Sequence, residues 1–239
     1  MKSTMLMVLA MVGVGALLMG CSPAMDVDSL NPAKAVSSET GIALAIVVDN
    51  SGSMDSSVRN ENGKNEPKKA IASRALIKVI ETLKHYSDNG KRIQVGVVTF
   101  DFCSSAIVVP MGDFNYEALM NYARDTGGGQ NTPLGVSVGT AAGMVLHSPM
   151  SEKHIIILSD GLNNSGPSPS EIMSSPEYLK VTQEHPIGTY FVAFDIDGSQ
   201  YDSLKPLGAK IFEATDEKEL DLKFSEILVK EILFEDPGQ

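Results

Sequence analysis

Ile42-Ala43-Leu44-Ala45-Ile46-Val47-Val48-Asp49-Asn50-Ser51-Gly52-Ser53 passes from an unbroken apolar run into a polar, glycine-containing turn. A short run that is apolar at every position suits a strand buried on both faces, which requires a parallel sheet covered by helices. Ile155 to Leu158 is a second such run, and Ile93 to Phe100 and Tyr190 to Ile196 are further strand candidates. Ser104 to Met111 is expected as a short strand pairing antiparallel with its predecessor at the sheet edge. Between these lie segments of helical period. In Pro67 to Tyr86, Ala72, Leu76, Val79, Ile80 and Leu83 share one face, and Pro67 suits the first turn. Pro133 to His147 is small and apolar almost throughout, as a helix packed deep against the sheet would be. Glu217 to Phe234 carries a stripe of Leu220, Phe224, Ile227 and Leu228. Alternation of strands and helices predicts an α/β fold: a doubly wound, mostly parallel sheet of about six strands, one antiparallel edge strand and helices on both faces.

In open sheets of this class, ligands bind outside the carboxyl ends of the strands, at the topological switch point. The residues just past each buried strand therefore carry the functional reading. The first strand runs into Asp49-Asn50-Ser51-Gly52-Ser53, and the later apolar run into Ser159-Asp160-Gly161. Gly127-Gly128-Gly129-Gln130-Asn131-Thr132-Pro133-Leu134 precedes the small apolar helix. Each segment is expected to bring oxygen donors to one rim. Asp49, Ser51, Ser53, Thr132 and Asp160 make two carboxylates and three hydroxyls. Hard oxygen ligands select Mg²⁺, Mn²⁺ or Ca²⁺ over zinc. Two ionised carboxylates would neutralise a divalent ion and leave coordination positions for water or for a carboxylate from outside. Asp-x-Ser-x-Ser alone is a weak signal, because such residues are common in turns and at helix N-termini; the joint occurrence of three segments after the right elements carries the weight.

These residues resemble the metal-ion-dependent adhesion site of the von Willebrand factor type A family. The resemblance runs from about Gly41 to about Phe234, and includes the Gly-x-x-Thr-Pro-Leu and Ser-Asp-Gly turns. It implies a Rossmann-like fold, Mg²⁺ as cofactor (or Mn²⁺ or Ca²⁺), and a protein partner bound through a metal-bridged carboxylate. It further implies that Ser51 and Ser53 coordinate the ion directly. Thr132 would do so in the ligand-bound arrangement, and Asp49 and Asp160 would act mostly through water. In integrin-type relatives the last helix slides when ligand binds, and here Phe224, Ile227 and Leu228 would be its buried contacts.

The 239-residue chain begins with Lys2 and an apolar, glycine-containing run from Met5 to Met19, closed by Gly20-Cys21. This is the pattern of an export signal over 1–20. It resembles the lipobox of bacterial lipoproteins, which implies that Cys21 is acylated and becomes the new N-terminus. The run is shorter than the roughly 20 residues of a spanning helix. Residues 21–40 are expected as a flexible tether with a reach of roughly 25 Å, and residues 41–236 as one domain. With Cys21 lipidated only Cys103 remains, so no intrachain disulfide is expected and the core alone must hold the fold. A formal charge of −11 argues against nucleic acid as a partner. The lipoprotein resemblance implies that, in a Gram-negative cell envelope, Ser22 in place of Asp after the cysteine permits transfer to the outer membrane, which is the location expected.

Other residues are expected to mean less. Asp195-Ile196-Asp197-Gly198 lacks the remaining positions of an EF-hand and is expected as a turn with local capping. His85, His147, His154 and His185 have no ligand spacing and are expected on the surface or at helix ends. Cys103 is expected as a small packed residue, and the methionines beyond the signal as core fillers. The polar loops 55–66 and 163–170 leave the metal rim and would frame a partner surface.

The function expected is a lipid-anchored envelope binding module and not an enzyme. The alternatives are a metal-dependent hydrolase or phosphotransferase with Asp49 as nucleophile, and an assembly subunit with a purely structural metal site. Against the enzyme stand Ser51, where a second Asp would act as acid/base, and the lack of an evident lysine beside the Ser-Asp-Gly turn.

Overall fold

The computed structural model describes residues 30–31, 34–100 and 104–233. The expected signal peptide, Cys21 and Cys103 lie outside them. A six-stranded sheet is built from β1 (Glu39–Val48), β4 (Ile93–Phe100), β5 (Ser105–Asp113), β6 (Met150–Ser159), β7 (Gly188–Phe194) and β8 (Ala209–Ala214). Its order is β5-β4-β1-β6-β7-β8, parallel throughout except for β5, which runs antiparallel to β4 at the edge. The chain moves from β1 to β4 on one side and later to β6 on the other. The carboxyl end of β1 is therefore the switch point.

The helices are α1 (Lys68–Asp88), α2 (Tyr116–Arg124), α3 (Leu134–His147), α4 (Pro169–Met173), α5 (Pro176–Glu184) and α6 (Glu217–Ile227). Alternate residues of β1 separate two cores. Leu44, Ile46 and Val48 face a cluster with Leu76, Ile80 and Leu83 of α1, Leu119 of α2, and Leu220 and Phe224 of α6. Ala43, Ala45 and Val47 face Val138, Ala141, Ala142 and Val145 of α3. The small side chains of β1 and α3 meet each other, so α3 sits close to the sheet and is buried almost all round. Full burial of a residue such as Ile46 contributes about 1.5–3 kcal/mol. Gly135, in the first turn of α3, is required by a close approach: a Cβ there would lie 2.1 Å from the carbonyl oxygen of Pro167.

Buried Lys153 of β6 closes the far end of α3. Its ammonium donates to the carbonyls of Val145, Ser148 and Met150, each at 2.9 Å. Burial pulls its pKa down to about 8, yet three carbonyl partners at a helix C-terminus are the surroundings that favour the charged form.

Several expectations need correcting. The described part of the expected tether is docked, not free. Leu30 is buried in the α3-side core, the Val36 N–H donates to Leu146 O, and those of Ser38 and Glu39 to Pro149 O. Hydrophobic burial and backbone pairing thus claim residues whose composition shows no periodicity. Pro67 does not enter the first turn of α1 but serves as its N-cap. The expected loop 55–66 contains a small hairpin, β2 (Ser57–Arg59) with β3 (Asn65–Pro67), pinned by buried Val58. The last helix loses its α geometry after Ile227 and continues as a wider π turn over Leu228–Ile232; Phe234 lies outside the described residues. His154 is buried within β6, where its Nδ1 lies 3.2 Å from the Tyr190 hydroxyl. The other three histidines do sit at helix ends: His85 and His147 in last turns and His185 as the C-cap of α5.

Candidate metal centre

Asp49 leaves β1 with its backbone N–H still paired to Leu158 O of β6, so the carboxylate starts from the rim of the sheet. It is 1% exposed. One oxygen accepts the Ser51 N–H at 2.8 Å, and the other accepts the Ser159 hydroxyl at 2.6 Å. The chain then turns through a short 3-10 segment, Gly52–Asp55, which brings Ser51 Oγ and Ser53 Oγ to 3.0 Å from each other. Ser53 Oγ donates in turn to Oδ1 of Asp160 at 2.6 Å. Residues 107 positions apart are thus joined at one spot.

Thr132 is buried, and its turn is clamped by the loop after Asp160. Its N–H donates to Asn164 Oδ1 at 2.7 Å, while the Asn164 N–H returns to Thr132 O at 3.1 Å. Asn163 Oδ1 accepts the Gly135 N–H at 3.1 Å. A Cβ added at Gly161 would lie 3.8 Å from both Ser53 Oγ and Thr132 Oγ1, so the third segment reaches the same place. All five expected residues converge. Behind them the glycine-rich stretch closes over Asn50, whose carbonyl accepts the Gly129 N–H at 2.6 Å. Asn50 Oδ1 is buried without a partner.

Burial pushes the Asp49 carboxyl above its ordinary value. Bonds from Ser159 and Ser51 pull the other way, and the charge of Asp160 adds to the rise. Two carboxylates and three hydroxyls packed together, with a carboxylate resisting ionisation, form a set that a divalent cation would relieve. Among the described residues no group of three or more His, Cys, Asp or Glu side chains is placed to hold a metal ion by itself, so any ion at this rim would depend on the hydroxyls as well. Carboxylate and hydroxyl oxygens are hard donors, which suit Mg²⁺, Mn²⁺ or Ca²⁺ more than zinc.

Sequence reasoning missed four contributors. Lys68, at the start of α1, places Nζ 3.0 Å from Asp160 Oδ2 and 2.8 Å from Asp195 Oδ2. The lysine found wanting beside the Ser-Asp-Gly turn is therefore present, brought from 92 residues away. Burial alone would lower its pKa, but the bonds to Asp195 and Asp160 outweigh that and hold it above the usual lysine value. Asp195 belongs to the expected local turn, and Asp197 does cap there, accepting the Ser199 N–H at 2.9 Å. Asp195 instead turns back to the site from a left-handed conformation, φ 54°. Ser159 and the pair Asn163–Asn164 are the other two. An Asn-Asn dipeptide after Ser-Asp-Gly was the one signal in the sequence for that pair.

A groove of about 200 Å³ lies along the loop that follows Gly161, between Leu134, Leu162, Ser168, Tyr201 and Leu204. The Tyr201 hydroxyl donates to Gly161 O at 2.5 Å and fixes that wall. Leu162 beside it is 48% exposed.

The sequence profile of the von Willebrand factor type A domain matches residues 44–163. Among solved structures, the PilB minor pilin from Streptococcus sanguinis superposes with a TM-score of 0.58 at 17% identity, over 80% of this chain and 61% of that one. The pilus adhesin SpaC from Lactobacillus rhamnosus GG gives 0.59 at 11% identity, over 80% and 30%. The vWF domain of the type V pili tip protein Mfa5 from Porphyromonas gingivalis gives 0.59 at 12% identity, over 79% and 94%. The chain thus spans 61% of the length of the pilin and 30% of that of SpaC, but nearly all of the Mfa5 domain. At these identities the likeness establishes the fold. A search of curated protein sequences returned no match.

Proposed function

Because the chain belongs to the von Willebrand factor type A domain family, we propose that it is a surface binding module whose rim holds a divalent cation, Mg²⁺ first, through Asp49, Ser51, Ser53, Thr132 and Asp160. The observation that carries this reading is the convergence of oxygen donors from three distant segments at the switch point of the sheet. The chemistry a bound ion supplies is Lewis acidity toward an acidic side chain of a protein partner. The chain's own part is orientation. Ser51 N–H and Ser159 hold the Asp49 carboxylate, Ser53 holds Asp160, and Asn164 holds the Thr132 turn.

Exposed Leu162, two residues after Asp160 and on the wall of the groove, offers the partner an apolar contact near the polar one. Pilus proteins among the structural neighbours favour a role at the cell surface. Lipidation at Cys21, in a Gram-negative outer membrane, is the anchor proposed for it. No helix among the described residues is long and apolar enough to cross a membrane.

A hydrolase or phosphotransferase is the weaker reading. Lys68 is buried between two carboxylates, so its ammonium is committed and does not present itself to a phosphate. Calorimetric titration of the purified protein with Mg²⁺ and Mn²⁺ tests the site, with Asp160→Ala as control. Uptake of one ion by the wild type and none by the variant is expected; no uptake by the wild type refutes the proposal. Pull-down with and without chelator then tests partner binding.

A further inference from the structure

Lys68 stands where a lysine is poorly placed by local rules. It opens α1, whose first turn holds no acidic residue, and a cation at a helix N-terminus faces the positive end of the macrodipole. Lys69, next to it, takes the ordinary course and pairs at the surface with Asp55. Lys68 does the opposite. Its backbone N–H is anchored to Ser56 O at 2.8 Å, and its side chain turns inward until it is 7% exposed. Burying an ammonium is costly unless it is paired, and here the pairing is with Asp160, one of the five rim residues, and with Asp195.

The two oxygens of Asp160 are divided between two neighbours. Oδ1 faces Ser53, within the hydroxyl cluster, and Oδ2 faces the ammonium. Asp49 and Asp160 supply two negative charges and Lys68 returns one. Asp195 offsets part of that from a half-open position, its side chain 42% exposed. A divalent ion entering the hydroxyl cluster would meet a fixed positive charge one carboxylate away.

We infer that Lys68 is a resident counter-cation that opposes the divalent ion, raising the ion concentration at which the rim loads and leaving a loaded rim with more net positive charge for an acidic partner. This rests on the metal-site reading of the rim. It assigns Lys68 a positioning and tuning role, and Asp195 the role of drawing the ammonium partly away from Asp160.

The test uses Mg²⁺ and Mn²⁺ alone, titrated into purified wild type, Lys68→Met and Asp195→Asn. Methionine keeps the length and bulk of lysine without its charge. Asparagine tolerates the left-handed backbone that position 195 adopts. Removing a like charge at this range should tighten ion binding by roughly tenfold in Lys68→Met, allowing for solvent screening. Asp195→Asn should weaken it, and should weaken it less in the Lys68→Met background than in the wild type.

Thermal midpoints with and without ion give a second readout: Lys68→Met should melt lower without ion and gain more from it than the wild type does. A folded Lys68→Met protein that binds the ion no tighter than wild type overturns the inference, because Lys68 would then merely hold Asp160 in place. If Lys68→Met fails to fold, an unchanged or tightened affinity in Asp195→Asn overturns it just as well. Absence of ion uptake by the wild type would sink the metal site itself, a separate failure.

Discussion

Gly135→Ala is a substitution for which helix propensity and packing predict opposite signs. Position 135 lies in the first turn of α3, and alanine in a helix is favoured over glycine by about 1 kcal/mol. Propensity alone predicts a more stable protein. The added Cβ, however, would lie 2.1 Å from Pro167 O, 2.5 Å from Ser168 C and 2.7 Å from Ser168 O. Ordinary carbon–oxygen contacts are about 3.3 Å or more, so backbone must move by roughly 1 Å on one side or the other.

Neither side is free to move. α3 is wedged between sheet and loop, and residues 163–168 are held by Asn163, by the Asn164–Thr132 pair and by the capping box of Ser168 and Glu171. Overpacking of this kind costs ~1–3 kcal/mol. Weakening the asparagine bonds adds about 1 kcal/mol each. Less the propensity gain, the net loss is ~2–4 kcal/mol, or roughly 5–15 °C in the thermal midpoint of a domain of this size.

Circular-dichroism melts of Gly135→Ala and of Gly112→Ala measure it. Gly112 is the control, since a Cβ there meets nothing within 4 Å and its φ is not positive. Because the displaced loop holds Thr132, ion affinity should fall along with stability. A Gly135→Ala protein as stable as wild type would refute the packing argument and with it the account of how the Thr132 turn is held.

Three more outcomes are expected of the same structure. His154 has its pKa lowered to about 4 by burial, against 6.5 for the exposed side chain. The unfolded chain therefore binds the extra proton first, and stability present above pH 6.5 should be lost, by about 3 kcal/mol, as pH falls toward 4; urea melts across that range check it, and His154→Gln should flatten the profile. Lys153→Met would leave three carbonyls without their ammonium and should lower stability by about 3 kcal/mol, with no loss of ion affinity, since Lys153 lies at the opposite end of α3 from Thr132. Arg74→Met should cost about 1–3 kcal/mol by removing the charged hydrogen bond to Glu217, whose side chain is 1% exposed, the cost being held down by the 39% exposure of Arg74, and an unchanged denaturation midpoint would show that the Glu61 N–H alone suffices.

The elements that were legible in sequence are those whose pattern has one physical explanation. Ile42–Val48, apolar at every position and bounded by polar turns, suits a strand buried on both faces, Ile93–Phe100 stands out as a strand candidate, and the small, apolar Pro133–His147 suits a helix pressed into the sheet. The antiparallel edge strand β5 was equally plain. What escaped detection was decided by tertiary contact. β8 carries exposed Lys210 and Glu213 at the far edge, α2 is short, and the β2–β3 hairpin is a polar stretch with Val58 as its one buried residue, tied down by Arg74–Glu66 and Glu61–Glu217 contacts from distant segments.

The five rim residues could be named because they come directly after recognisable strand ends or before a recognisable helix. Lys68 could not, because nothing in a helix pattern says which lysine turns inward. His154 was hidden for the same reason: its neighbours Lys153 and Glu152 make the start of β6 look like a solvated approach to the strand.

Unequal thickness on the two sides of β1 has a mechanical meaning. On the Leu44–Ile46–Val48 side, bulky chains span the gap, so trimming one leaves a hollow that neighbours can partly close. On the Ala43–Ala45–Val47 side, almost nothing separates strand from helix, and any added atom works as a jack under α3. Since Leu134 begins directly after Thr132-Pro133, lifting α3 tilts the mouth of the rim. Substitutions far below the donors, at Ala43 or Ala45, would therefore disturb binding through leverage, while comparable changes across the sheet would only soften the protein.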